Sequence, residues 1–197
     1  PAIQTEDGCQ LLLGTPGRGA SAIQRALLQD LAKAKSVRLI VPYFLPSSRL
    51  RRAIQKAARR GGQVQLIVPG RTDVPISKLA AESLYTRLLR AGVEVYEYRP
   101  QILHAKLFLL DQAVYVGSSN LDTRSLHLNH ELLVRLEEPI SQIEAGAYYE
   151  SALRHSNRID ARVWSRTRSI WTRMRERWAW FLLARVDPWV ARWLSQS

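Results

Sequence analysis

Sulfur is almost missing from this chain: 197 residues contain one cysteine, Cys9, and one methionine, Met174. A single thiol excludes an internal disulfide framework and any cysteine-only metal cluster. Long apolar runs are missing too. None approaches the ~18 residues of a transmembrane helix, and the tail's best, 178–184, is far shorter. No basic and apolar leader opens the chain at Pro1, so no secretory signal is visible, and the lack of an initiator methionine points to a processed or partial chain. Acidic residues are few, 17 against 29 Lys and Arg, for a formal charge of +12. That balance favours an anionic partner, either nucleic acid or an anionic lipid surface. Tryptophan is absent from the first 163 residues, yet six occur after them.

What is present divides near Asn157. Residues 1–157 hold 20 basic and 14 acidic side chains; residues 158–197 hold nine Arg, three acids and all the Trp. This predicts a catalytic or binding domain over 1–157 and a basic, Trp-rich tail over 158–197. In the first part, strand and helix patterns alternate, predicting an α/β fold with helices on both faces of a sheet. Ser21 is placed to cap one helix and Ser47 or Ser48 a second. Pro75 to Arg90 and Pro139 to Arg154 read as two more, each opening on proline. The stretches 102–111 and 113–118 read as strands of a hairpin.

The chemistry concentrates in "HAKLFLLDQAVYVGSSNLDTRSLHLNHE", residues 104–131. His104 and Lys106 are two apart, so a strand would project both from one face. With Gly117, Ser118 and Asn120 downstream, they suit a phosphate: Lys neutralises charge while hydroxyl, amide and backbone N–H groups donate. A partly exposed strand edge explains the His–Lys pair as well. His127, His130 and His155 show no ligand spacing, and the Gly-rich 14–19 segment lacks the Lys-Ser/Thr of a phosphate loop. The run from Arg49 to Arg60 reads as a solvated helix face.

His104, Lys106 and Asp111 spell H-x-K-x4-D, and Gly117, Ser118 and Asn120 spell G-S-x-N. The chain thereby resembles the phospholipase D superfamily. "GSSNLDTRSLHLNHE", "VPYFLP" and "RRGGQVQLIVPG" are similar to the second half of its cardiolipin synthase branch. Five residues separate Asp111 from Gly117, one fewer than usual, which predicts a shortened hairpin turn. The resemblance implies a phospholipase D-like α/β/α sandwich with a mixed sheet. It implies phosphatidyl transfer through a phosphohistidine, without metal or other cofactor, at a site built from two motifs. This chain carries only one, so the other comes from an N-terminal half of the same enzyme or from a second copy. His104 would be nucleophile or general acid, Lys106 would hold the phosphate, and Glu131 would orient the imidazole. Asp111 completes the catalytic set, its implied role more structural than chemical. Ser118, Asn120 and Arg124 would meet substrate phosphate, although Arg124 paired with a carboxylate fits equally.

The implied function is cardiolipin synthesis from a phosphatidylglycerol-type lipid at the cytoplasmic face of the membrane, with nucleic acid not favoured. The alternatives are a phosphodiesterase or nuclease acting as a homodimer, and a catalytically incomplete membrane-binding module. Trp164, Trp171 and Trp178 are seven apart, within about 40° on a continuous helix. With Trp189 and Trp193 beyond the Asp187-Pro188 break, they predict in-plane attachment to an anionic bilayer. Packing of the stripe on the body or on a partner protomer is the alternative.

Overall fold

The computed structural model describes residues 2–4, 8–16 and 20–186. In chain order the elements are β1 (Ala2–Gln4), β2 (Cys9–Gly14), α1 (Ala22–Lys33), β3 (Ser36–Ile40), β4 (Phe44–Leu45) and α2 (Ser48–Arg59). There follow β5 (Gln63–Pro69), α3 (Pro75–Arg90), β6 (Glu94–Tyr98), β7 (Leu107–Leu110), β8 (Ala113–Gly117), β9 (Leu121–Asp122), α4 (Thr123–His127) and β10 (Glu131–Leu136). Last come α5 (Pro139–Arg154), β11 (Ser156–Arg158), α6 (Ala161–Thr167), α7 (Ile170–Phe181) and a π-helical turn, Leu182–Val186.

Helix starts follow local chemistry. The Ser21 and Ser47 hydroxyls accept from Gln24 N at 3.2 Å and Leu50 N at 3.3 Å, capping α1 and α2. Pro75 and Pro139 open α3 and α5 in the first turn, where the missing N–H leaves nothing unpaired. Among the described residues, nine strands form one mixed sheet in the order β1-β2-β10-β8-β7-β3-β5-β6-β11. β3, β5 and β6 run parallel through the α2 and α3 crossovers; the other pairs are antiparallel.

Strand periodicity builds both layers of the core. Leu39, Leu66 and Phe108 point into the cluster under α1, α2 and α3, whereas Ile40, Ile67 and Leu109 point into the one under α5. Between α1 and the sheet, the buried Asp30 carboxylate accepts from Tyr115 Oη at 2.6 Å and Arg135 Nε at 2.9 Å. Burial alone would raise this carboxyl's pKa; those donors outweigh it and hold it below the usual value.

The composition break near Asn157 is not a break in packing. β11 straddles it as the edge strand on β6, and α6 and α7 both pack on α3. The tail helix is also interrupted: α6 ends at Thr167, and Ser169 Oγ accepts from Thr172 N at 3.1 Å to cap a new helix. Trp164 therefore leaves the stripe expected of it and packs inward. Its ring lies 5.1 Å from that of Tyr85, its Nε1 donates to Thr86 at 3.3 Å, and the Arg168 guanidinium stacks 3.4 Å over it. Arg168 in turn pairs with Glu82 at 3.3 Å and with buried Glu176. Trp171 and Trp178 remain outward, 74 % and 61 % exposed. Trp189 and Trp193 lie outside the described residues.

Candidate active site

His104 and Lys106 lie in the segment that leads into β7, whose pairing begins only at Leu107, and not within the longer strand expected over 102–111. Leu103 is buried and anchors the segment, leaving the His104 side chain exposed and Lys106 half-buried. Lys106 Nζ reaches the His104 carbonyl at 3.4 Å. Burial lowers the Lys106 pKa below the ordinary lysine value, while the nearby carboxylates of Glu131 and Asp122 oppose that shift.

β8 delivers the second part of the motif. An added Cβ at Gly117 would lie 2.1 Å from the Leu132 carbonyl, so only glycine lets β8 and β10 approach this closely. The next residue exploits that approach. Ser118 N donates to Leu132 O at 2.9 Å, and its hydroxyl accepts from Leu132 N at 3.1 Å and donates to the Glu131 carboxylate. Asn129 Nδ2 also reaches Glu131, at 3.5 Å. Glu131 thus engages Ser118 and Asn129 and not the His104 ring, because the β8–β10 pairing sets Ser118 beside it. Asn120 Oδ1 is buried without a partner, an unmet acceptor beside this group.

Asp111 is not with these residues. It occupies the opposite end of β7, about 20 Å along the chain from His104 at strand rise. There it forms the two-residue β7–β8 turn with φ at +50°, the shortened turn expected from the spacing. Its carboxylate accepts from Ser36 N at 2.7 Å and Lys35 N at 3.0 Å. Its place is structural, and it leaves the catalytic set.

Three polar residues complete the site without having been singled out from sequence. β4 pairs with β9 in a separate two-stranded parallel ladder, bringing Tyr43 and Asp122 into the neighbourhood. The Tyr43 ring meets that of His104 edge-on, centroids 6.2 Å apart, and its hydroxyl donates to Asp73 at 2.9 Å. That hydrogen bond, opposed by desolvation and aided by the charge of His104, holds the Asp73 carboxyl below its usual pKa. Burial raises the pKa of Asp122, which caps α4 by accepting from Ser125 N at 2.7 Å. The signal in the sequence was "VPYFLP", which places a tyrosine between prolines at a strand end.

Arg124, on the exposed side of α4, lines a cleft with Tyr43 and Asp122. A second cleft of about 490 Å³ opens beside His104 and Lys106, walled by Val116, Glu144, Ala145 and Tyr148. Among the described residues, no His, Cys, Asp and Glu cluster is placed to hold a metal ion, and no helix is long and apolar enough to cross a membrane. An imidazole, an ammonium, a hydroxyl and a carboxylate gathered at one end of a sheet can bind a phosphoryl group, exchange a proton and offer a nitrogen nucleophile.

Comparison with known proteins bears on this arrangement. A family model described as "Cardiolipin synthase, PLD-like domain" matches residues 27–154. The chain is 34 % identical over 175 residues to cardiolipin synthase A of Buchnera aphidicola subsp. Schizaphis graminum, covering 88 % of this chain and 36 % of that protein. It is 36 % identical over 168 residues to cardiolipin synthase A of Escherichia coli O157:H7, covering 84 % and 34 %. The chain thus spans about a third of the length of these relatives. In fold it is similar to the phospholipase D family member Nuc from Salmonella typhimurium, with a TM-score of 0.64 at 20 % identity, covering 77 % of this chain and 98 % of that one. Phosphatidylserine synthase from Haemophilus influenzae Rd KW20 gives 0.63 at 17 % identity, covering 77 % and 40 %.

Proposed function

The chain belongs to the family of cardiolipin synthase, PLD-like domains, and from that premise we propose that it supplies one of two catalytic motifs of a phosphatidyltransferase that makes cardiolipin. The observation that carries this reading is the gathering of His104, Lys106, Ser118 and Glu131 at one end of the sheet, in a chain about 35 % identical to cardiolipin synthases A.

In the reaction, a ring nitrogen of one motif's histidine attacks the phosphorus of a phosphatidylglycerol-type lipid. The bond from phosphorus to the leaving glycerol oxygen breaks, and the other histidine protonates that alkoxide. The hydroxyl of a second phospholipid then gives up its proton to the second histidine and attacks phosphorus, freeing the first imidazole. His104 takes one of these roles, Lys106 holds the phosphate charge, and Ser118, Asn120 and Arg124 complete its cradle. Glu131 acts through Ser118. The second motif, from an N-terminal half or a second copy, docks over the cleft beside His104. Exposed Val116 and Tyr148 on its walls, with exposed Ile140 on the same helix as Tyr148, support that placement. The outward stripe of Ile170, Trp171, Met174, Trp178 and Phe181, flanked by Arg173, Arg175 and Arg177, lies on the cytoplasmic bilayer surface.

The test is to give the assembled enzyme phosphate-labelled phosphatidylglycerol, following labelled cardiolipin and acid-labile label on protein. Both form with wild type. Cleavage of a simple phosphodiester or of DNA with no cardiolipin would replace this reading by the phosphodiesterase one.

A further inference from the structure

A separate cleft of about 260 Å³ is lined by Tyr43, and the reaction above uses only Arg124 from its walls. Its walls come from four places in the chain: β4 with the residue before it, the start of α3, the β9–α4 junction, and the π-turn after α7. The lining is mixed. Tyr43, Asp122, Thr123 and Arg124 are polar and lie towards His104 and α4; Leu45, Val74 and Leu183 are apolar, with the Ser77 hydroxyl among them.

The polar part adjoins the reacting groups. Tyr43 meets the His104 ring edge-on, and the Asp122 carboxylate is close enough to act on Lys106. The apolar part continues to the surface: Val74 and Ile76 are exposed on one side, and Phe181 and Leu182 on the other, next to Leu183. Those last two adjoin the Trp171–Trp178 stripe along α7. A polar end at the phosphate site and an apolar end at the proposed lipid surface match the two ends of a glycerophospholipid. The volume falls below the ~300–1,000 Å³ of a pocket for a whole drug-sized ligand, so it suits one portion of a lipid.

The geometry points to this cleft as an acyl-glycerol subsite: it receives the ester-bearing, apolar part of the phospholipid whose phosphate lies at His104 and Lys106. The inference rests on the phosphatidyl-transfer reading above. It gives the terminal helix a second task, since the turn after α7 walls the path from the bilayer to the site.

The experiment uses calorimetric titration of the assembled enzyme with two monomeric probes. One is glycerophosphoglycerol, which is the headgroup and backbone alone; the other is dihexanoyl-phosphatidylglycerol below its micelle concentration. Each buried methylene is worth several-fold in affinity, so the acylated probe binds about tenfold or more tighter. Leu183→Trp and Val74→Trp, which fill the cleft from opposite walls, bring that ratio towards one, with folding confirmed by their unfolding curves. A ratio near one in wild type, or one retained by both variants, overturns the subsite and leaves the transferase reading standing. If neither probe binds, the subsite falls; if labelled phosphatidylglycerol also yields no cardiolipin, the transferase reading falls with it.

Discussion

The Ser118 hydroxyl donates to the carboxylate of Glu131, thirteen residues further along, across the β8–β10 pair. The same hydroxyl accepts from Leu132 N at 3.1 Å. Glu131 therefore fixes the direction of the Ser118 hydroxyl, and its negative charge also favours the Lys106 cation against the cost of burial.

Glu131→Gln keeps the fold and lowers turnover by about 10-fold or more, the scale seen when a partner behind a ligand is removed. The loss appears together with a fall in the Lys106 pKa, because the carboxylate that opposes burial has gone. The alkaline limb of the pH–rate profile accordingly moves to lower pH, a shift that a purely structural residue would not produce. Equal alkaline limbs in the two proteins would refute this role.

His104→Ala in the assembled enzyme lowers turnover by about 10²-fold or more with an unchanged unfolding midpoint, since it removes the imidazole proposed to attack or protonate at phosphorus. Turnover near the wild-type rate would remove His104 from the mechanism.

Asp111→Ala costs stability and leaves the kinetics of the folded enzyme alone. Two backbone donors lose their acceptor and a non-glycine residue is left at positive φ, together worth about 2 kcal/mol. Urea unfolding measures the loss; Asp111→Asn, which keeps an acceptor, loses less.

Much of this was legible in the sequence because it depends on local chemistry. Ser21, Ser47, Pro75 and Pro139 announce their helices, and the five-residue gap after Asp111 announces a short turn. The rest depends on tertiary packing. The β4–β9 ladder is two residues long on each side, too short for a periodic signal, yet it brings Tyr43 and Asp122 to the site. The seven-residue Trp spacing holds only on an unbroken helix, and the Ser169 cap breaks it.

Acid stability is expected to depend on Asp30. Its pKa is lower folded than unfolded, so its contribution is complete above the unfolded value near 4 and is lost as pH falls through the folded one. Arg135→Met removes a donor from this buried carboxylate and costs about 2 kcal/mol at neutral pH. As pH falls the two proteins' stabilities converge, which unfolding curves at pH 7 and pH 3 would register; parallel acid profiles would exclude the assignment.

The two kinds of tryptophan in the tail separate cleanly by experiment. Trp171→Ala with Trp178→Ala weakens co-sedimentation with phosphatidylglycerol vesicles while the unfolding midpoint holds. Trp164→Ala instead destabilises by about 2 kcal/mol, because it removes the surface on which Arg168 and Tyr85 pack. Unaltered vesicle binding by the double variant would mean that the outward stripe serves another contact.

The place of β2 in the sheet governs the order of assembly on the ribosome. It joins β10, pairing Cys9 with Leu136 and Gly14 with Glu131, so β2 must wait for a strand made about 120 residues later. At about 5–20 residues per second the delay is roughly 6–25 s. During that time β3, β5 and β6 can already close through their crossovers. The corner that holds Ser118 and Glu131, which needs β10 for Glu131 and for the approach at Gly117, therefore closes after those crossovers.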